Sequence, residues 1–254
     1  MQIVAVQFDI LWENRQGNLD KVKDLLSKQS IQAGSLILLP EMFSSGFSMN
    51  VDRVKENDPS VAEAFMSELA TYYQSCVLGG LVLKHQNGKG LNTLSAFGPS
   101  GEKIGSYFKN YCFSYSKETD YYHSGEDILV FEWQGFHVCP TICYDLRFPE
   151  LYRRGVPKGA NLFPIIASWP VNRIDHWDAL LKARAIENQA VVVGVNRIGN
   201  DPKLSYPGHS QIIDHHGKVL SINEGDETCI SAEVSIESLL AWRDAFGALE
   251  DIKK

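Results

Sequence analysis

Short apolar runs separated by amphipathic stretches recur along the chain. Ile3 to Gln7 reads as a buried strand, and the following polar stretch carries Leu19, Val22, Leu25 and Leu26 on one helical face, with Asn18 as its expected cap. Ser35 to Leu39 predicts a second buried strand ending at Pro40 and Glu41, after which Ser44, Ser45, Gly46 and Ser48 form a loop of small residues. Ser60 is placed to cap a helix with Val61, Phe65, Leu69 and Tyr72 in register, leading into the apolar run Cys76 to Leu83. Asn92 to Phe97 and Lys103 to Phe108 flank Gly98, Pro99, Ser100 and Gly101, a hairpin pattern.

The second half repeats this alternation. Gly135 to Gly155 opens with Phe136, Val138 and Ile142, suited to a buried strand, and closes with Phe148, Leu151 and Tyr152 at helical spacing. Pro140 removes a ladder donor inside that strand, which predicts a bulge there. Asn161 to Ala167 is a further strand, Asp175 to Gln189 a helix with Ala179, Ala183, Ile186 and Ala190 aligned, and Val191 to Asn196 a buried strand. Ser210 to Asp214 and Lys218 to Ile222 bracket a turn at His215, His216 and Gly217. An amphipathic tail from Val234 to Phe246, with Leu239, Leu240, Trp242 and Phe246, can pack on a neighbour or on its own sheet. Buried βα units combined with two hairpins argue for a layered α/β sandwich. No linker, repeat or low-complexity tract interrupts it, so one domain over residues 1–254 is expected.

Composition removes several function classes. Lys and Arg number 24 against 31 Asp and Glu, a formal charge of −7, and no basic run appears, which argues against nucleic acid as a partner. Met1 to Asp9 has no basic leader, and no apolar run approaches about 18 residues. A soluble cytoplasmic protein with no membrane partner is the expectation. Five cysteines, with no CxxC pair, suggest neither a disulfide framework nor structural zinc. His215 and His216 sit in a turn and lack a helical i, i+4 arrangement, so no metal site and no cofactor are expected.

Three groups that can carry chemistry stand directly after apolar strands: Glu41, Lys109 and Cys143. Such positions lie at the rim of a sheet, where charges of both signs can set a thiol's pKa and move its proton. Free N–H groups at a helix start after Cys143 would favour a thiolate and an adjacent oxyanion. Each residue also has an ordinary reading: a solvated carboxylate, a surface ammonium and a core cysteine. A cysteine–histidine nucleophile pair finds little support, because His85, His215 and His216 all read as surface turn residues. Arg147 lies four residues after Cys143, so helical geometry can bring its guanidinium to the nucleophile's face; an ion pair with Asp145 or Glu150 is the competing reading.

The segments LLPEMFSSGF, YFKNYCF and ICYDLRFPELYR resemble the three signature regions of the nitrilase superfamily of carbon–nitrogen hydrolases. The similarity extends through KARAIENQAVVVGVNRIG to DHHGKVL, and PEMFSSGF, SWP and WDALLKARAIENQ are most similar to the bacterial omega-amidase branch. That resemblance implies a four-layer α-β-β-α sandwich, usually a homodimer, hydrolysing a small linear amide. Residue by residue, it implies Glu41 as general base, Lys109 and the Tyr144 N–H as oxyanion donors, Cys143 as nucleophile and Glu118 as a second glutamate. Arg147 would bind a substrate carboxylate, with Phe43, Phe113 and Trp169 as apolar walls. Tyr111 and Cys112 depart from the residues common there, His and Leu, which touches the pocket's shape and no catalytic group. Hydrolysis of an N-carbamoyl compound or nitrile on the same site, or a catalytically silent binding protein, are the alternatives; the latter predicts loss of Glu41, Lys109 or Cys143, and all three are present.

Overall fold

Within single strands, alternate side chains enter different interiors. In Gln2–Gln7, Ile3 and Ala5 point into one core while Val4 and Val6 point into another. In Leu162–Ala167, Leu162 and Ile166 join the first of these cores, whereas Phe163, Ile165 and Ala167 face a third. Both strands are therefore covered on both faces, which explains why they read as continuous apolar runs. The computed structural model describes residues 1–57 and 59–252.

Three cores imply four layers. The first sheet has six strands in the order Thr228–Glu233, Gln2–Gln7, Leu36–Leu38, Cys76–Lys84, Gly90–Phe97 and Lys103–Phe108. The second runs Val219–Asn223, Ser210–Ile213, Val191–Asn196, Leu162–Ala167, Phe136–Val138 and Phe131–Trp133, with Thr141–Ile142 also beside Leu162–Ala167. Parallel pairing at the centre of each sheet gives way to antiparallel pairing at the edges. Leu38, Leu78 and Leu94 of one sheet meet Val138, Ile166 and Val193 of the other in the central core. Helices Arg15–Ser27 and Val61–Tyr73 cover the first sheet, and Pro149–Gly155 and Ile174–Glu187 the second. This is the four-layer α-β-β-α sandwich.

Several local expectations are corrected. Asn14, accepting from the Gly17 N–H, caps the first helix; Asn18 is buried inside it and ties Leu11 to the Ser44 carbonyl. The second helix buries Ala62, Phe65, Met66, Leu69 and Ala70, leaving Val61 and Tyr72 exposed. In Ile174–Glu187 the inward face is Trp177, Leu181, Arg184 and Ala185, because the bulkier residues outweigh the aligned alanines and Ile186 turns to solvent. His215 is buried, and its hairpin packs toward Trp242 of the C-terminal helix through His216. That helix, Ile236–Ala245, docks on its own chain, with Leu239 in the central core. At Pro140 the ladder is interrupted between Phe136–Val138 and Thr141–Ile142.

The parallel strands of both sheets end on the same side. Glu41 follows Leu36–Leu38, Cys143 follows Thr141–Ile142 and Ser168 follows Leu162–Ala167. Room for the Glu41 turn comes from Gly80, whose N–H donates to the Pro40 carbonyl at 3.2 Å and whose carbonyl accepts from Phe43 at 2.9 Å. A Cβ at Gly80 would lie 2.6 Å from the Met42 nitrogen and 2.7 Å from the Glu41 Cα, both backbone atoms that cannot step aside. Gly80→Ala is therefore expected to lower stability by about 1–3 kcal/mol, measured by urea unfolding. An unchanged midpoint would show that the turn tolerates displacement.

Candidate active site

Three residues beside the prospective chemistry, Met42, Lys117 and Cys143, hold left-handed backbone. Met42 has φ of 47° and Cys143 φ of 50°, each strained by about 1–3 kcal/mol for a side chain with a Cβ. Met42 is fixed by the Ser45 and Gly46 N–H groups, which donate to its carbonyl at 3.0 and 2.8 Å. Cys143 opens a 3-10 turn, Cys143–Arg147, rather than the α-helix expected; Pro149–Gly155 is a separate helix. Asp145 holds that turn: its carboxylate accepts from the Ile142 N–H at 3.0 Å, the Tyr111 N–H at 2.9 Å and the Tyr107 hydroxyl at 2.7 Å. Arg184 holds the other side, donating from Nε and Nη2 to the Leu146 carbonyl at 3.2 and 2.8 Å.

Lys109 is gripped from two sides. Its Nζ donates to Glu41 Oε1 at 3.0 Å and to Glu118 Oε2 at 3.0 Å, with side-chain exposure of 1% for the lysine and 0% for both glutamates. Burial alone would lower the ammonium's pKa, but Glu118 and Glu41 together outweigh it and hold the group well above the ordinary lysine range. Asn92 Nδ2 donates to the same two carboxylates at 2.7 and 3.1 Å, and the Phe113 N–H donates to Glu118. The second oxygen of Glu41 accepts the Ser168 N–H at 2.8 Å. Every contact on Glu41 thus comes from a donor of a different segment.

Cys143 faces this cluster. Burial first, then the Glu41 carboxylate, push its thiol well above the ordinary thiol range, with Lys109 and the Ser168 N–H pulling the other way. The resting sulfur is therefore a thiol, not the thiolate that a helix start alone would favour. Tyr144, second in the 3-10 turn, keeps its N–H outside the turn's own i to i+3 bonding and free for an anion. Burial also lifts the Asp145 carboxyl to about 7, and its three donors are what allow a carboxylate there.

A narrow pocket opens from Cys143 and Lys109, walled by Phe47, Phe113, Tyr144, Trp169 and Tyr206. Of the expected aromatic walls, Phe113 and Trp169 line it. Phe43 does not: it is fully buried under the helices, its ring 6.3 Å from that of Phe65, and Phe47 takes the wall position because Met42 reverses the chain. Arg147 lines the pocket, stacked 4.9 Å over Trp169 and 3.1 Å from His176 Nδ1, and pairs with neither Asp145 nor Glu150. Arg173, which sequence reasoning passed over, lines it too, 5.2 Å from the Phe113 ring. Neither guanidinium forms an ion pair among the described residues. Asn92, Ser168 and Asp145 were also missed; their partners are distant in sequence, and only the position of Asp145 two residues after Cys143 offered a clue. No cluster of metal-ligating side chains occurs among the described residues. Another groove lies elsewhere, between Pro149–Pro157 and the C-terminal segment, and holds none of these groups.

A fold and a site of this kind define a class of hydrolase that attacks carbon–nitrogen bonds. The chain belongs to the carbon–nitrogen hydrolase family, whose profile it matches over residues 2–244. A 2-oxoglutaramate amidase of Bacillus subtilis (strain 168) is 34% identical over 253 residues, 99% of this chain and 97% of the relative. An omega-amidase of Yersinia enterocolitica is 35% identical over 256 residues, covering 100% of this chain and 97% of the relative. A CN-hydrolase superfamily protein of Xanthomonas campestris, solved with an arsenic adduct in its active site, superposes with a TM-score of 0.92 at 32% identity, covering 100% and 97% of the two chains.

Two outcomes follow from this geometry. Because the Cys143 thiol is raised, its alkylation by iodoacetamide, followed on the Cys143 peptide by mass spectrometry, should be slow at pH 7 and climb only above pH of about 9. A rate already at its plateau near neutrality would reveal a resting thiolate. Asp145→Asn would set an amide N–H against one of three donors, costing about 1–3 kcal/mol in urea unfolding.

Proposed function

We propose that this site hydrolyses the carboxamide of a short dicarboxylic monoamide, such as 2-oxoglutaramate or succinamate, to the carboxylate and ammonia. The observation that carries this reading is the coexistence in one narrow pocket of a buried thiol, an ammonium held by two carboxyl groups, and two guanidiniums with no carboxylate partner among the described residues. The names and full-length similarity of the relatives support the same chemistry.

In the proposed cycle Glu41 takes the Cys143 proton as sulfur bonds to the amide carbon. A resting thiol makes this transfer necessary. Lys109 Nζ and the Tyr144 N–H hold the oxyanion, an effect of about 3 kcal/mol for each donor. Glu41 returns the proton to nitrogen, the carbon–nitrogen bond breaks and ammonia leaves a thioester. Water then gives a proton to Glu41 and adds to the thioester; the carbon–sulfur bond breaks and the thiolate regains its proton. Glu118 acts through Lys109, fixing the ammonium's position together with Glu41. Arg147 and Arg173 bind the far carboxylate, with Trp169 and Phe113 excluding bulk. A single hydrolase domain, a homodimer and a cytoplasmic location complete the proposal and rest on the family resemblance. No helix among the described residues is long and apolar enough to cross a membrane.

Ammonia release across amides, ureido acids and nitriles tests the reading. Succinamate and 2-oxoglutaramate should outrun butyramide, and ureido acids and nitriles should trail. Arg147→Ala should raise KM for the charged amides about 10- to 100-fold, the worth of a charge-assisted bond, and leave butyramide nearly unaffected. Equal losses on both would assign Arg147 to the fold instead of the ligand.

A further inference from the structure

Ser168 carries two polar groups, and the cycle above uses only one. Its backbone N–H donates to Glu41 Oε2 at 2.8 Å and also favours the thiolate of Cys143, so the residue stands between base and nucleophile. The residue is 7% exposed and lines the pocket with Cys143 and Lys109, and its buried hydroxyl has no hydrogen-bond partner among the described residues. The segment that carries it is rigid: Asn196 Oδ1 accepts the Trp169 N–H at 2.7 Å, and Asn196 Nδ2 donates to the Trp169 carbonyl at 2.9 Å. Buried hydroxyls are nearly always paired, and one left open on a ligand pocket is a place for a ligand's polar atom.

The reaction has an unmatched need of the same kind. When the tetrahedral intermediate collapses, the nitrogen must turn its lone pair toward the protonated Glu41, which leaves its two N–H bonds pointing away from the carboxyl. Lys109 and the Tyr144 N–H are donors and cannot receive them. We propose that Ser168 Oγ accepts a hydrogen bond from the scissile amide nitrogen and so orients its lone pair toward Glu41. Ser168 would then be a substrate-contacting residue that selects amides over esters, whose leaving oxygen has no N–H to offer. This inference rests on the amide-hydrolase reading above.

The test compares Ser168→Ala with the unmodified protein on succinamate and on the monomethyl ester of succinate, reading kcat/KM, which reports steps up to thioester formation. The expected result is a fall of about tenfold or more on the amide and less than twofold on the ester, with the thermal midpoint unchanged or raised because an unpartnered hydroxyl has been removed. Equal losses on amide and ester, no loss on either, or a midpoint lowered by several degrees would each overturn the assignment. An unmodified protein that cleaves the ester and no amide would overturn the amide reading itself, and this inference with it.

Discussion

The buried ammonium of Lys109 is the constraint on which the site depends. A charge at 1% exposure is tolerated only because Glu41 and Glu118 both reach it at 3.0 Å. Removing either carboxylate would leave a buried charge half-compensated, a loss of about 3–5 kcal/mol in comparable pairs. The three residues come from the ends of two strands and the start of a short helix, Glu118–Tyr121, so the cluster also staples three chain segments at one rim of the sandwich. A single arrangement provides both the polarity the chemistry needs and the rigidity that keeps it in place.

Left-handed backbone adjoins that cluster at Met42, Lys117 and Cys143. Left-handed Met42 turns the chain immediately after Glu41, and left-handed Cys143 turns its side chain toward the pocket at the end of a strand. Neither conformation is favoured locally. Gly80 makes space for the first, and Asp145 with Arg184 holds the second from opposite sides. The same Asp145 carboxylate reaches the Tyr111 N–H, two residues past Lys109, so the Cys143 turn and the lysine's loop are fixed against each other.

The proposed base and the proposed nucleophile belong to different sheets. Glu41 ends a strand of the first sheet, whereas Cys143 and Ser168 end strands of the second, and the Ser168 N–H to Glu41 Oε2 bond crosses between them. The spacing of Glu41 from Cys143 is therefore set by the apolar core that separates the sheets, built from residues such as Leu38, Leu78, Ile166 and Val193. A packing change in that core would be felt as a change in the distance between the Glu41 carboxylate and the Cys143 thiol, with no polar residue altered.

Much of this was legible in the residues. Apolar runs bounded by turn residues marked most strands, because a strand covered on both faces must be apolar throughout, and Glu41, Lys109 and Cys143 stood out as reactive groups directly after such runs. Helical faces were less legible: alignment of Ala179, Ala183 and Ile186 was overruled by the larger Trp177 and Leu181, since burial follows area as well as spacing. Phe43 and Phe47 look equivalent in sequence, and only the reversal at Met42 sends one to the core and the other to the pocket. Asn92, Asp145, Ser168 and Arg173 gain their meaning from partners far away along the chain, through hydrogen bonds and unpaired charge that no local pattern encodes. The sequence by itself determined the layers and which groups could react; tertiary packing decided their distances, their protonation and which polar atoms were left open for a ligand.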